Sequence, residues 1–117
     1  MQLLVTGADG MLGQDVVAAA PGPVLALVHE DVDVTDADAV RAAVRDARPH
    51  VVINCAAFTD VDGCEEQEER ATGVNGVGAG NVATAAAAAG ALVVHVSSDY
   101  VFDGAKGSPY VESDAVG

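Results

Sequence analysis

Seven residues near the start of the chain, Gly7-Ala8-Asp9-Gly10-Met11-Leu12-Gly13, limit its fold more than any others. They follow a short apolar run, Gln2–Thr6, that reads as a buried strand. They lead into Met11–Ala20, which reads as a helix stopped by Pro21-Gly22-Pro23. A G-x-x-G-x-x-G turn in that setting gives each glycine its own task. Gly7 lets the chain reverse sharply, Gly10 lets backbone amides approach a diphosphate, and Gly13 lets the helix pack tightly on the sheet. The helix N-terminus adds unpaired N–H groups and the positive end of the dipole. Glycines at this spacing also serve ordinary turns, so the strand–turn–helix context is what turns the motif into an expected nucleotide site.

The rest of the chain repeats the alternation. Val24–Val28 is a second apolar run. Thr35 and Asp38 have the form of a capping box at the head of a helix Ala37–Arg48, whose Val40 and Val44 share a face and which Pro49 closes. His50–Cys55 is apolar on both faces, as a central parallel strand should be. A loop, Ala56–Gly63, precedes the acidic run Glu65-Glu66-Gln67-Glu68-Glu69, expected as a solvated first helical turn. That helix should reach Ala89 and stop at Gly90, although Gly73, Gly76, Gly78 and Gly80 each cost about 1 kcal/mol in a helix interior. Ala91–Ser97 is a fourth strand, and the remainder to Gly117 reads as loop. The order β-α-β-α-β-α-β implies a doubly wound, Rossmann-like parallel sheet in three α/β/α layers, with expected spatial order 3-2-1-4. It reads as one domain over residues 1–117, whose sheet would keep an unpaired edge at the fourth strand.

Charge narrows the partners. Eighteen Asp and Glu stand against five Lys and Arg, a formal net charge of −13, so nothing can neutralise a row of nucleic-acid phosphates. The acid excess suits either a solvated face or a salt-rich cytosol; Lys106 is the single lysine. No apolar run approaches the roughly 18–20 residues that span a bilayer, and the N-terminus lacks a basic leader, so a cytoplasmic location is expected. Cys55 and Cys64 lack metal-ligand spacing, and no metal is expected.

Two further segments place chemistry at the carboxyl ends of strands, where ligands of open α/β sheets sit. One is Val52-Ile53-Asn54-Cys55-Ala56-Ala57-Phe58-Thr59-Asp60-Val61-Asp62, whose small Ala56 and Ala57 can abut a cofactor. The other is Val96-Ser97-Ser98-Asp99-Tyr100-Val101-Phe102-Asp103-Gly104, expected beside the same crevice. Glu30 and Asp31 lie about twenty residues past the glycine turn, where an acid meets the ribose of NAD; no arginine stands there for a 2′-phosphate.

Together with Asp33-Val34-Thr35-Asp36 and Val74-Asn75, these motifs resemble the extended short-chain dehydrogenases/reductases, in particular the dTDP-4-dehydrorhamnose reductase branch. The resemblance implies that Gly7, Gly10, Met11, Leu12 and Gly13 form the diphosphate turn, with Val28 near the adenosine ribose. It places Asp33 and Val34 at the adenine edge. Ala57, Phe58, Thr59 and Val96 would lie along the path to the nicotinamide. Ser98 matches the catalytic Ser/Thr position and Asp99 its sugar-touching neighbour. Asn75 matches an asparagine that helps order a proton-relay water.

The implied cofactor is NADH or NADPH, and the implied partner a dTDP-linked nucleotide sugar, with a homodimer as the implied assembly. The implied reaction reduces dTDP-4-dehydro-L-rhamnose to dTDP-L-rhamnose. The branch draws its proton from a Tyr-x-x-x-Lys pair, and these 117 residues contain none: Gly104 follows Tyr100 by four, and Asp114 follows Tyr110 by four. The chain therefore reads as the cofactor-binding half, without the sugar-nucleotide part and inactive alone. A nucleotide-sugar epimerase of the same family and a non-catalytic NAD(P)-binding regulatory module are the alternatives.

Overall fold

The computed structural model describes residues 1–117. Four parallel strands, β1 (Leu3–Thr6), β2 (Val24–Leu27), β3 (Val51–Asn54) and β4 (Leu92–His95), form one sheet. Helix α1 (Met11–Ala19) joins β1 to β2, and α2 (Ala37–Ala47) joins β2 to β3. Between β3 and β4 lie α3 (Val61–Glu66), α4 (Glu68–Thr72), a π-helical turn (Gly73–Gly78) and α5 (Ala79–Ala88). A 3₁₀ turn, Asp99–Val101, follows β4. No helix is long and apolar enough to cross a membrane.

The fold class is as the sequence implies, but the strand order is β2-β1-β3-β4 rather than 3-2-1-4. The physical reason lies in β3. Val52 and Asn54 are fully buried and Val51 and Ile53 partly so, which needs a neighbour on each side. In the expected order β3 would have been an edge strand. Leu25 and Ala26 of β2 are exposed, so β2 tolerates the edge. The chain thus reverses direction after β2, and the topological switch point falls between β1 and β3.

Right-handed crossovers put α1 on one face of this sheet and α2 with α5 on the other. The second face is well covered. Leu4, Val34, Val40, Val44, Val52, Val82, Ala85 and Ala86 form its core, and α2 packs along α5. The α1 face is thinner: Leu92 and Val94 of β4 are 65% and 45% exposed.

Local details refine three expectations. Thr35 does not cap α2; its amide and hydroxyl both donate to Asp33 Oδ1, and Asp36 accepts from the Asp38 and Ala39 amides instead. Asp36 directly precedes the first helical residue, where a cap must stand. The acidic run is not one first turn, because the helix that Asp60 caps has already begun at Val61. Glu65 and Glu66 end α3, Gln67 breaks the path (φ −124°, ψ 55°), and Glu68 and Glu69 open α4. The glycine-rich helix middle is held as a π turn rather than fraying.

Candidate functional site

The site begins at Gly7. Its φ of +64° is open to glycine at little cost, and a Cβ there would stand 2.6 Å from the Ala56 amide nitrogen. Gly13 is equally fixed: a Cβ would lie 2.0 Å from the Gly7 carbonyl oxygen. The two glycines therefore let α1 press against the β1 exit while that exit presses against the loop leaving β3.

What this turn presents is main chain. Gly10 is the N-cap of α1 and supplies no side-chain acceptor; no acid occupies the first turn, so the Met11, Leu12 and Gly13 amides have no partner within the protein. By contrast, Asp36 and Asp60 cap α2 and α3 with carboxylates. In a chain of net charge −13, the α1 start is left bare and positive, as a diphosphate requires.

Across from it runs a crevice of about 200 Å³, bordered by Gly7, Asp9, Gly10, Cys55, Ala56, Ala57 and Phe58 on the β1–β3 side. His29, Val32, Val34, Arg70 and Val74 close it towards β2 and α4. This is smaller than the roughly 300–1,000 Å³ pockets that enclose drug-sized ligands, so these walls seat part of a dinucleotide and leave the rest uncovered. Bare amides, small residues at the switch point and an apolar floor fit such a cofactor in charge and shape.

The candidate residues divide. Gly7, Gly10, Val34, Ala57 and Phe58 border the crevice. Met11 and Leu12 are exposed beside it, their amides free, and Gly13 is buried beneath. The Val28 amide donates to Asp31 Oδ2 (3.0 Å), and the Val28 carbonyl accepts from the Asp31 and Val32 amides, closing a tight turn that carries His29 and Glu30. Asp33 lies just outside; the Thr35 hydroxyl and then the Thr35 amide hold its carboxyl below the usual range. Thr59 is exposed and does not border the crevice.

Val96, Ser98 and Asp99 are not brought to the crevice. They leave β4 at the same end of the sheet, but they are exposed and none borders the cavity. Strand order explains this: β3 stands between β1 and β4, which sets β4 about 10 Å from β1. The Asn75 side chain bonds the Phe58 backbone.

Residues for which no cofactor contact is expected from the sequence also line the cavity. Asp9, His29, Val32, Arg70 and Val74 are among them. Arg70 lies 4.6 Å from the centre of the Phe58 ring, a cation over an aromatic face. Nothing in the sequence sets Arg70, just after the acidic run, opposite Phe58. Burial pushes the Cys55 thiol above its ordinary pKa, so it is held protonated and no base activates it.

Comparison with known proteins decides the family. Residues 1–117 match the family described as RmlD substrate binding domain. The chain belongs to that family. It is 48% identical to a dTDP-4-dehydrorhamnose reductase of Mycolicibacterium smegmatis over 99% of this chain and 36% of that protein. A crystal structure of a dTDP-4-dehydrorhamnose reductase from Clostridium acetobutylicum superposes with a TM-score of 0.96 at 42% identity, covering 100% of this chain and 43% of that one. The corresponding enzyme from Bacillus anthracis, solved in complex with NADP, gives 0.94 at 34% identity over 98% and 42%. The chain thus spans about two-fifths of the length of these relatives.

Proposed function

We propose that the chain is the cofactor-binding domain of an NAD(P)H-dependent reductase that converts dTDP-4-dehydro-L-rhamnose to dTDP-L-rhamnose. One observation carries the reading: the uncapped α1 N-terminus faces the loop leaving β3 across the switch point of a sheet shared with such reductases. The NADP complex of the Bacillus anthracis relative supports the cofactor class. Cytoplasmic operation and homodimeric assembly go with this reading.

Reduced nicotinamide, when bound, supplies hydride to the C4 ketone of the sugar. The Met11, Leu12 and Gly13 amides would hold the diphosphate, and Val34 and Val32 would give the adenosine an apolar wall. As C4 takes hydride, negative charge grows on its oxygen, and a hydroxyl donor there lowers the barrier. Ser98 is that donor in our reading, with Asp99 on the sugar. The proton itself needs a stronger acid than Ser98, and no Tyr-x-x-x-Lys pair occurs in residues 1–117; these residues bind and orient.

The test follows oxidation of NADH or NADPH by absorbance with dTDP-4-dehydro-L-rhamnose as substrate, in a full-length protein that carries this domain together with a Tyr-x-x-x-Lys pair and in its Ser98→Ala variant. We expect turnover in the former, a loss of about tenfold or more in kcat in the latter, and cofactor affinity within twofold. Turnover unaffected by Ser98→Ala removes Ser98 from the reaction. Cofactor binding without sugar reduction favours the non-catalytic module.

A further inference from the structure

The sequence contains three asparagines, Asn54, Asn75 and Asn81, and each bonds the backbone of a residue bordering the crevice. Asn54 Oδ1 accepts the Ala56 amide at 3.3 Å, besides the Thr6 hydroxyl at 2.6 Å. Asn75 Oδ1 accepts the Phe58 amide at 2.7 Å, and its Nδ2 donates to the Phe58 carbonyl at 3.0 Å. Asn81 Nδ2 donates to the Val34 carbonyl at 2.9 Å.

The last two come from one helical rod. Asn75 sits in the π turn and Asn81 in α5, so a single element reaches both the loop leaving β3 and the segment after β2. Gly78 completes the fit, since a Cβ there would come within 2.7 Å of Val34 Cγ2. A π turn widens a helix locally and recurs at functional sites; here Gly78 leaves room for Val34 while Asn75 reaches Phe58.

Asn75 gives Phe58 what a neighbouring strand would give: one acceptor and one donor, side by side, on a loop with no strand beside it. Both groups are at the surface, where a hydrogen bond adds little to global stability. What it fixes is the placement of one residue. Preset walls spare a ligand the cost of ordering them.

We propose that Asn75 and Asn81 are positioning residues that set the two crevice walls for the dinucleotide, Asn75 through Phe58 and Asn81 through Val34. The proposal rests on the cofactor reading above, and it assigns Asn75 a part separate from any proton relay.

Titration of NADH and of 5′-AMP into the intact protein, Asn75→Ala, Asn75→Asp and Asn81→Ala, with melting curves for each, tests it. The Asp variant keeps shape and acceptor but sets a carboxylate oxygen against the Phe58 carbonyl. We expect Asn81→Ala to weaken both ligands by a similar factor of about tenfold. Both Asn75 variants should weaken NADH about tenfold and leave AMP within twofold, with nearly unchanged melting. NADH affinity within twofold of the intact protein in both Asn75 variants overturns the proposal. So does a loss that merely tracks the unfolded fraction. An intact protein that binds neither ligand instead overturns the cofactor reading beneath it.

Discussion

The crevice and the segment from Ser98 to Gly117 are built on different principles. At the crevice, buried strands end in register and two glycines lock β1, α1 and the β3 loop within contact distance. Asparagine amides then hold its walls. The later segment holds itself by side chains: Phe102 stacks on Tyr110 at 4.2 Å, Lys106 pairs with Asp114, and the Tyr110 hydroxyl donates to Asp103. The first arrangement shapes a space for a ligand. The second folds a loop upon itself and leaves Ser98 and Asp99 in solvent. The first region walls a space that fits part of a dinucleotide, and no residue of the second borders that space.

Breaking the first region should have the largest effect. Gly13→Ala forces a methyl onto the Gly7 carbonyl oxygen and should cost at least about 3 kcal/mol in urea unfolding. Gly80→Ala, with nothing within 4 Å, should instead gain up to about 1 kcal/mol. Equal effects would deny the close approach at the turn.

A smaller contrast separates the two faces of the sheet. Val52→Ala, in the α2/α5 core, should cost about 2–3 kcal/mol, and Val94→Ala on the thin face less than about 1. A cost at Val94 matching that at Val52 would mean that the thin face is covered in solution.

The smallest effect concerns Cys55. Its folded pKa is raised by burial, so the folded chain keeps the thiol proton that the unfolded chain releases above about pH 8.5. Stability from this group is thus present below that pH and falls as pH rises through it. Alkylation of Cys55 should be slower in the folded chain than in urea, and slower again with bound dinucleotide, because Cys55 borders the crevice. Mass spectrometry of the modified peptide reads both changes.

Much of this was legible in the sequence, for identifiable reasons. The glycine turn, the apolar β3 and the stop at Gly90 (φ +70°) are local and strong, and each stands where expected. Strand order was not legible, because crossover direction depends on which strand needs two neighbours; the doubly apolar character of His50–Cys55 was the clue. The order 3-2-1-4 sets β4 beside β1, whereas in the fold β3 stands between them. Arg70 over Phe58 and Asn75 on the Phe58 backbone span 12 and 17 residues with an irregular helix between, so no periodic pattern could announce them.

The most direct measurement is a fluorescence titration of NADH into the intact protein and into Gly10→Asp, whose carboxylate would project at the bare amides of α1. The account predicts saturable binding in the first and none in the second. Equal binding by both would place the dinucleotide elsewhere and contradict it.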